Sequence, residues 1–213
     1  MWPRRWLVAE EDCLRFLPDT IRVERIPDDE AYEGVRVRVE HRLAMCAFLQ
    51  IHVGLGDAIV PASEELEYPT LLKFPAAYSK VSVVAEKFAA MVKLGMANSR
   101  MKDFYDLWVL ARRFEFESGI LAAAIQATFE TRRTTLPKSS PLALQADFYE
   151  LPSKQTQWRA FLRKSGLKAD SSLKQIIEVV REFVMPVVDG ILKENSEKKV
   201  WQPGGPWKKG RKL

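Results

Sequence analysis

The hydrophobic positions follow two different periods along the chain. Up to residue 55 they alternate. Val35, Val37 and Val39 are interleaved with Arg36, Arg38 and Glu40, and further on Leu49, Ile51, Val53 and Leu55 share one face while Phe48, Gln50 and His52 share the other. Such a period of two is the signature of half-buried strands. Together with the run from Thr20 to Ile26, it predicts three strands, over 20–26, 34–43 and 47–55, whose short connections suit an antiparallel or mixed sheet. Residues 56–80 carry Pro61, Pro69 and Pro75 and predict a connector, since neither a continuous helix nor a central strand tolerates that spacing.

Beyond residue 80 the period becomes helical. Ser82 is expected to cap a helix that Gly95 ends, Ser99 a second running to Phe114, and Ser118 a third running to Arg132. Residues 154–163 place Trp158, Phe161 and Leu162 on one face. A last helix starts at Ser172 with Leu173, Ile176, Ile177 and Val180 aligned, and a break or kink is expected where it meets Pro186. The stretch from Trp201 to Leu213 is rich in Gly, Pro and Lys and reads as loosely ordered, although Trp201 and Trp207 could dock it on the body. The fold class expected is α+β, organised as an α/β region over 1–80, a helical domain over 81–197 and a basic tail over 198–213.

Two charges break the helical pattern. On a 100° wheel, Val84, Phe88 and Met91 define the apolar stripe of the first helix, and Lys87 falls inside it. On the second helix Leu107, Leu110 and Phe114 follow Asp103 at i+4, i+7 and i+11, so Asp103 is in line with the stripe and Asp106 at its edge. An isolated buried charge is costly, so such groups are paired, shifted in pKa or turned to a cavity. A structural ion pair, a lysine whose stem covers the core while its head reaches water, and a site where the lysine meets an anionic substrate are all compatible with the wheel. Arg100 and Lys102, with Arg132 and Arg133, form a candidate phosphate-facing cluster if the helices bring them together.

Composition narrows the classes. Hydrophobic residues make up 47% of the 213 positions and charged ones 29%, which excludes a disordered chain. The net charge of +5 invites a nucleic-acid reading, but six basic residues without an acid lie from Lys198 onward. Without those six, the 33 Lys and Arg fall one short of the 28 acids. The excess therefore belongs to the tail, whose lysines could give salt-sensitive contacts to RNA or DNA. Cys13 and Cys46 support neither a disulfide framework nor a zinc site, and no signal-peptide core or membrane span is visible, which points to a soluble protein of the cytoplasm. Neither His41 nor His52 has a second ligand nearby in sequence, so no metal is assigned to them.

The run VVAEKFAAMVKLGMANSRMKDFYDLWVLAR (83–112), TFETRRTTLP (128–137), QIHVGLGDAIVP (50–61), YPTLL (68–72) and WQPGGPW (201–207) together resemble the AbiEii/AbiGii toxin family. The resemblance covers nearly the whole chain from about Pro18. It implies a DNA polymerase β-like nucleotidyltransferase sheet, partial here, followed by a helical bundle. It also implies the toxin role in a toxin–antitoxin or abortive-infection system acting in phage defence, with a nucleoside triphosphate as substrate, Mg²⁺ as cofactor, an acceptor such as tRNA or another RNA, and a cognate antitoxin as partner. Lys87, in AEKF, matches the family's motif lysine, and Asp103, in KDFYD, a motif aspartate with Asp106 beside it; these three are the catalytic candidates, and Arg100, Lys102, Arg132 and Arg133 the substrate-binding ones.

Two departures bear on the metal. The family's Gly-Ser motif followed by Asp-x-Asp has no counterpart in this chain, and His52 stands where the family stretch usually reads QIDVGFGD. Imidazole is a poor ligand for hard Mg²⁺. Both departures count against Mg²⁺ binding by this chain, and the expectation is an N-terminally truncated, inactive toxin. The competing expectations are a non-catalytic remnant that binds an antitoxin or RNA, and an RNA-binding module driven by the tail.

Overall fold

The computed structural model describes residues 15–26, 33–42, 46–55, 58–62, 64–66, 74–77, 79–167, 171–194 and 197–210. The chain divides into two compact units between Asp57 and Ala58, upstream of the expected boundary at residue 80.

The first unit is a three-stranded antiparallel sheet of β1 (Arg15–Ile26), β2 (Glu33–Arg42) and β3 (Cys46–Leu55), in that order. The alternating valines set its register: Val35, Val37 and Val39 lie opposite Val53, Ile51 and Leu49, and Val23 lies opposite Val37. A one-residue slip would turn every one of these side chains to the other face. β1 begins five residues earlier than expected and includes Pro18. An edge strand can hold a proline, and the pairing with β2 shifts register between Leu17 and Arg22. Thr20 bridges that irregularity, its Oγ1 donating to the Leu17 carbonyl at 2.6 Å and accepting from the Glu40 N–H at 3.0 Å.

The second unit opens with a hairpin of β4 (Glu64–Leu66) and β5 (Phe74–Ala77), within the expected connector. α1 (Lys80–Leu94) follows. Its N-cap is Ser79 rather than Ser82: the Ser79 hydroxyl accepts from the Ser82 N–H at 3.2 Å, and the Ser82 hydroxyl donates to the Val60 carbonyl instead. Gly95 ends the helix with φ 48°, as its lack of a Cβ permits. A short 3-10 turn over Gly95–Ala97 leads to α2 (Met101–Arg113). Ser99 does not cap α2; the Asn98 side-chain oxygen accepts from the Arg100 N–H at 2.8 Å and shapes the entry.

The two-residue strand β6 (Phe116–Glu117) precedes α3 (Ser118–Thr131), so Ser118 is the first helical residue and not the cap. A single-turn α4 (Ala146–Tyr149), α5 (Pro152–Ser165) and α6 (Leu173–Leu192) complete the helices, with Ser172 and Gln175 forming a reciprocal capping box at the start of α6. α6 does not stop at Pro186. Val184, Val187 and Val188 pack in the core on both sides of the proline, and the nearby Phe183 carbonyl accepts the Trp207 indole N–H at 2.8 Å. Packing and that bond outweigh the lost backbone hydrogen bond.

The core of this unit joins Val84, Phe88 and Met91 of α1, Phe104 and Leu107 of α2, Leu121 and Ile125 of α3, and Ile176, Val180 and Phe183 of α6. The tail is not loose over its described residues. β7 (Lys199–Trp201) pairs with β6 and β8 (Trp207–Lys209) pairs with β7, closing a second three-stranded antiparallel sheet. Trp201 is fully buried and its Nε1 donates to the Ala111 carbonyl at 2.7 Å. Gly/Pro/Lys composition suggested disorder, but the two indoles recover more by burial than the short segment loses in entropy.

Candidate functional site

α1 and α2 are joined by so short a link that Lys87 and Asp103, each in the apolar stripe of its own helix, meet. Lys87 Nζ lies 2.6 Å from Asp103 Oδ1 and 2.8 Å from Asp106 Oδ2. The Asp103 side chain is 5% exposed, that of Lys87 17% and that of Asp106 22%, so the cluster opens outward from Asp103. Arg100 and Lys102 stand at the mouth, with side chains 56% and 71% exposed. Arg100 Nε lies 2.8 Å from Asp103 Oδ2, and Lys102 Nζ bonds Asp106 Oδ2 one helical turn on. The Arg100 contact neutralises Asp103 Oδ2 by charge, yet the N–H direction misses it, and that buried oxygen has no hydrogen bond among the described residues. Asp103 also benefits from its place in the first turn of α2, where the helix dipole favours an anion.

Burial by itself would lower the pKa of Lys87; the bonds and charges of Asp103 and Asp106 together outweigh it and hold the ammonium above its ordinary value. Lys87 is thus a fixed cation. Three cations enclose two carboxylates, leaving the cluster one positive charge in excess, with its outer cations turned to solvent. Such an arrangement suits contact with phosphate oxygens.

The other predicted residues lie apart in role. Arg132, at the end of α3, approaches the half-buried Glu86 of α1 at 3.7 Å. Arg133 is exposed with φ 48°, and no ion pair involves it among the described residues. Lys154 was not singled out from the sequence. It is 5% exposed, its Nζ donates to the Asn98 carbonyl at 2.7 Å, and it sits 4.7 Å from the centroid of Phe148. The signal was present, since Lys154 precedes the core residue Trp158 by four positions and so shares its helix face.

His52 lies on the polar face of β3. Its Nε2 accepts from Arg36 Nε at 3.3 Å and is 2.7 Å from Gln50 Nε2. The nitrogen is therefore occupied and flanked by a guanidinium. Neither this position nor the Lys87 cluster fits a divalent cation: the first offers an engaged imidazole beside arginines, the second two carboxylates already outnumbered by cations. No group of three or more His, Cys, Asp or Glu side chains able to hold a metal occurs among the described residues.

Residues 8–184 match the family model described as "Nucleotidyl transferase AbiEii toxin, Type IV TA system". The chain belongs to the AbiEii family. The match spans most of the chain and takes in Lys87, Asp103, Asp106 and His52. No curated protein and no solved structure matches it. Membership makes this a nucleotidyltransferase-like chain of a type IV toxin–antitoxin system, with an antitoxin partner and a nucleotide substrate, in a family that generally uses a divalent metal. The α+β content of the AbiEii chain agrees with that assignment. Among the described residues, no helix is long and apolar enough to cross a membrane.

Proposed function

We propose that this AbiEii chain is a cytoplasmic nucleotidyltransferase-type toxin, neutralised by its antitoxin in abortive infection and phage defence, whose lineage transfers a nucleotide from a nucleoside triphosphate to an acceptor such as tRNA. Its own part in that chemistry is the α1–α2 cluster. Asp103 and Asp106 keep Lys87 protonated and aimed, and Arg100 and Lys102 meet the triphosphate from the mouth; Arg132, which approaches Glu86, and the exposed Arg133 are further substrate-binding candidates outside that cluster. One observation carries this: Lys87 Nζ is held between the Asp103 and Asp106 carboxylates at 2.6 and 2.8 Å, within the stretch of chain that the family model covers. A lysine needed only to fill space would not bring one acid into an apolar stripe and a second to its edge.

A second reading is that the chain binds without transferring. The engaged His52 and the cation-rich Lys87 cluster favour it, because neither presents the free oxygen ligands that Mg²⁺ requires. Incubation of the full chain with Mg²⁺, labelled nucleoside triphosphates and total RNA decides between them, alongside nucleotide binding measured by calorimetry. Nucleotide binding without incorporation is the result expected of the chain alone. Incorporation that disappears in Lys87→Ala and Asp103→Ala would make the chain an active transferase and remove the second reading. Absence of both binding and incorporation would remove the role given to the cluster.

A further inference from the structure

We propose that the polar face of the β1–β2–β3 sheet binds single-stranded nucleic acid directly, through guanidinium contacts to phosphate and stacking on Phe48, with no bridging metal ion. The pairing register brings the groups together. Arg22, Arg38 and Gln50 form one cross-strand row, Glu24, Arg36 and His52 the next, and Glu40 and Phe48 a third, all on the face opposite the valines. Arg22 and Arg38 stand directly opposite one another, and no ion pair involves either among the described residues. Like charges so placed oppose sheet formation. A polyanion lying along the face would remove that penalty.

The arginines are also pre-oriented. Arg38 Nε donates to Gln50 Oε1 at 3.0 Å and Arg36 Nε to His52 Nε2 at 3.3 Å, so both guanidiniums are splinted at their inner nitrogen by a side chain of β3. Their outer Nη groups are left for a ligand, apart from a 3.9 Å approach of Arg36 to Glu24, itself half exposed and therefore weak. Bound that way, the fork loses less freedom on meeting a phosphate. Arg36 and Arg38 project about 7 Å apart along the strand, with neighbouring strands about 5 Å away, a spacing that suits successive backbone phosphates better than one compact anion.

Phe48 adds a stacking surface to the arginine rows. It is 69% exposed on this same face, beside the arginine rows. Its direct cross-strand partner is Glu40 and the nearest arginine row is that of Arg38; a sheet that presents an exposed aromatic ring next to such a row is the platform on which unpaired bases stack. The same rows explain why the face refuses a divalent cation: where the family stretch carries an acid, His52 is engaged and lies against Arg36. The inference goes beyond the transfer reading, because it concerns binding with no nucleoside triphosphate present.

The test is fluorescence anisotropy of the full chain with short labelled single-stranded RNA, the same sequence as DNA, and the corresponding duplexes, all in EDTA across a salt series. Expected are binding to single strands in EDTA, weaker binding to duplexes, and affinity that falls with salt. Arg36→Gln and Arg38→Gln should each lower affinity several-fold and reduce the salt slope by about 0.7, and Phe48→Ala should lower affinity about tenfold with little change in slope. The RNA and DNA arms identify which strand is preferred. Binding only when Mg²⁺ is added, binding unchanged in the combined Arg22, Arg36 and Arg38→Gln variant, or equal competition by poly-glutamate would each overturn the proposal. Circular dichroism of the variants confirms folding. Loss of binding with transfer intact, or transfer absent with binding intact, separates this inference from the proposed function.

Discussion

Lys154 Nζ reaches from α5 to the backbone carbonyl of Asn98, 2.7 Å away, and so props from below the turn that presents Arg100 to Asp103. Burial pushes this ammonium below its ordinary value. The folded state then binds the Lys154 proton less tightly than the unfolded chain does, so the cost is fully present below the folded pKa and relieved as pH rises toward the ordinary value of 10.5. In urea unfolding, the stability of the native chain relative to Lys154→Met should therefore increase as pH rises toward 10.5. A difference that shrinks with pH would contradict the burial of the charge.

Lys87 should behave in the opposite sense. Its pKa is raised, so its contribution is complete below 10.5 and fades only as pH climbs through the higher folded value. The cost of Lys87→Met should be flat between about pH 6 and about pH 10. We expect about 3 kcal/mol, the low end for breaking a buried pair, because Arg100 still compensates Asp103. Lys87→Met with Asp103→Leu should cost less than the sum of the single changes, with a coupling of about 1–3 kcal/mol in a double-mutant cycle. Additive costs would mean that the 2.6 Å contact carries no energy of its own.

These two lysines also show what the sequence made legible. Lys87 was visible because it interrupts an apolar stripe, and Asp103 because it does the same one helix on; proximity followed from the short link. Gly95 announced its helix end, and the alternating valines announced β2. What failed depended on choices among near-equivalent local partners or on distant ones. Ser79 and Ser82 both precede the same apolar run, and only the Val60 carbonyl, far upstream, decides which serine caps. The splinting of Arg36 by His52 needs the strand register, and the order of the tail needs Ala111 and Phe183 as acceptors for its two indoles. Lys154 stands at the edge of the helix predicted over 154–163, whereas α5 begins at Pro152 and places it inside.

The tail yields its own prediction. Gly205 has φ +73°, and a Cβ there would fall 2.5 Å from the indole Cη2 of Trp201. The ring cannot retreat, since its Nε1 is tied to the Ala111 carbonyl and Phe183 and Trp207 pack against it. Gly205→Ala should destabilise the helical unit by about 1–3 kcal/mol through overpacking, and Trp201→Ala by about 3–5 kcal/mol through the cavity it leaves. The denaturant midpoint measures both. A neutral Gly205→Ala would show that β7 and β8 are not fixed against the core.

Arg100 and Lys102 allow substrate contact to be separated from structure. Lys102 is 71% exposed and bonds Asp106 across one turn of α2, a surface pair whose loss should change stability by no more than about 0.5 kcal/mol. Arg100 instead shields a carboxylate that is 5% exposed, and Arg100→Ala should cost about 1–3 kcal/mol, the penalty for uncovering a buried polar group. If the mouth of the cluster meets a triphosphate, both substitutions should weaken nucleotide binding several-fold in calorimetry, although only one affects folding. Unchanged affinity in Lys102→Ala would mean that its ammonium serves Asp106 alone, and the phosphate-facing role would then fall to Arg100 and Lys87.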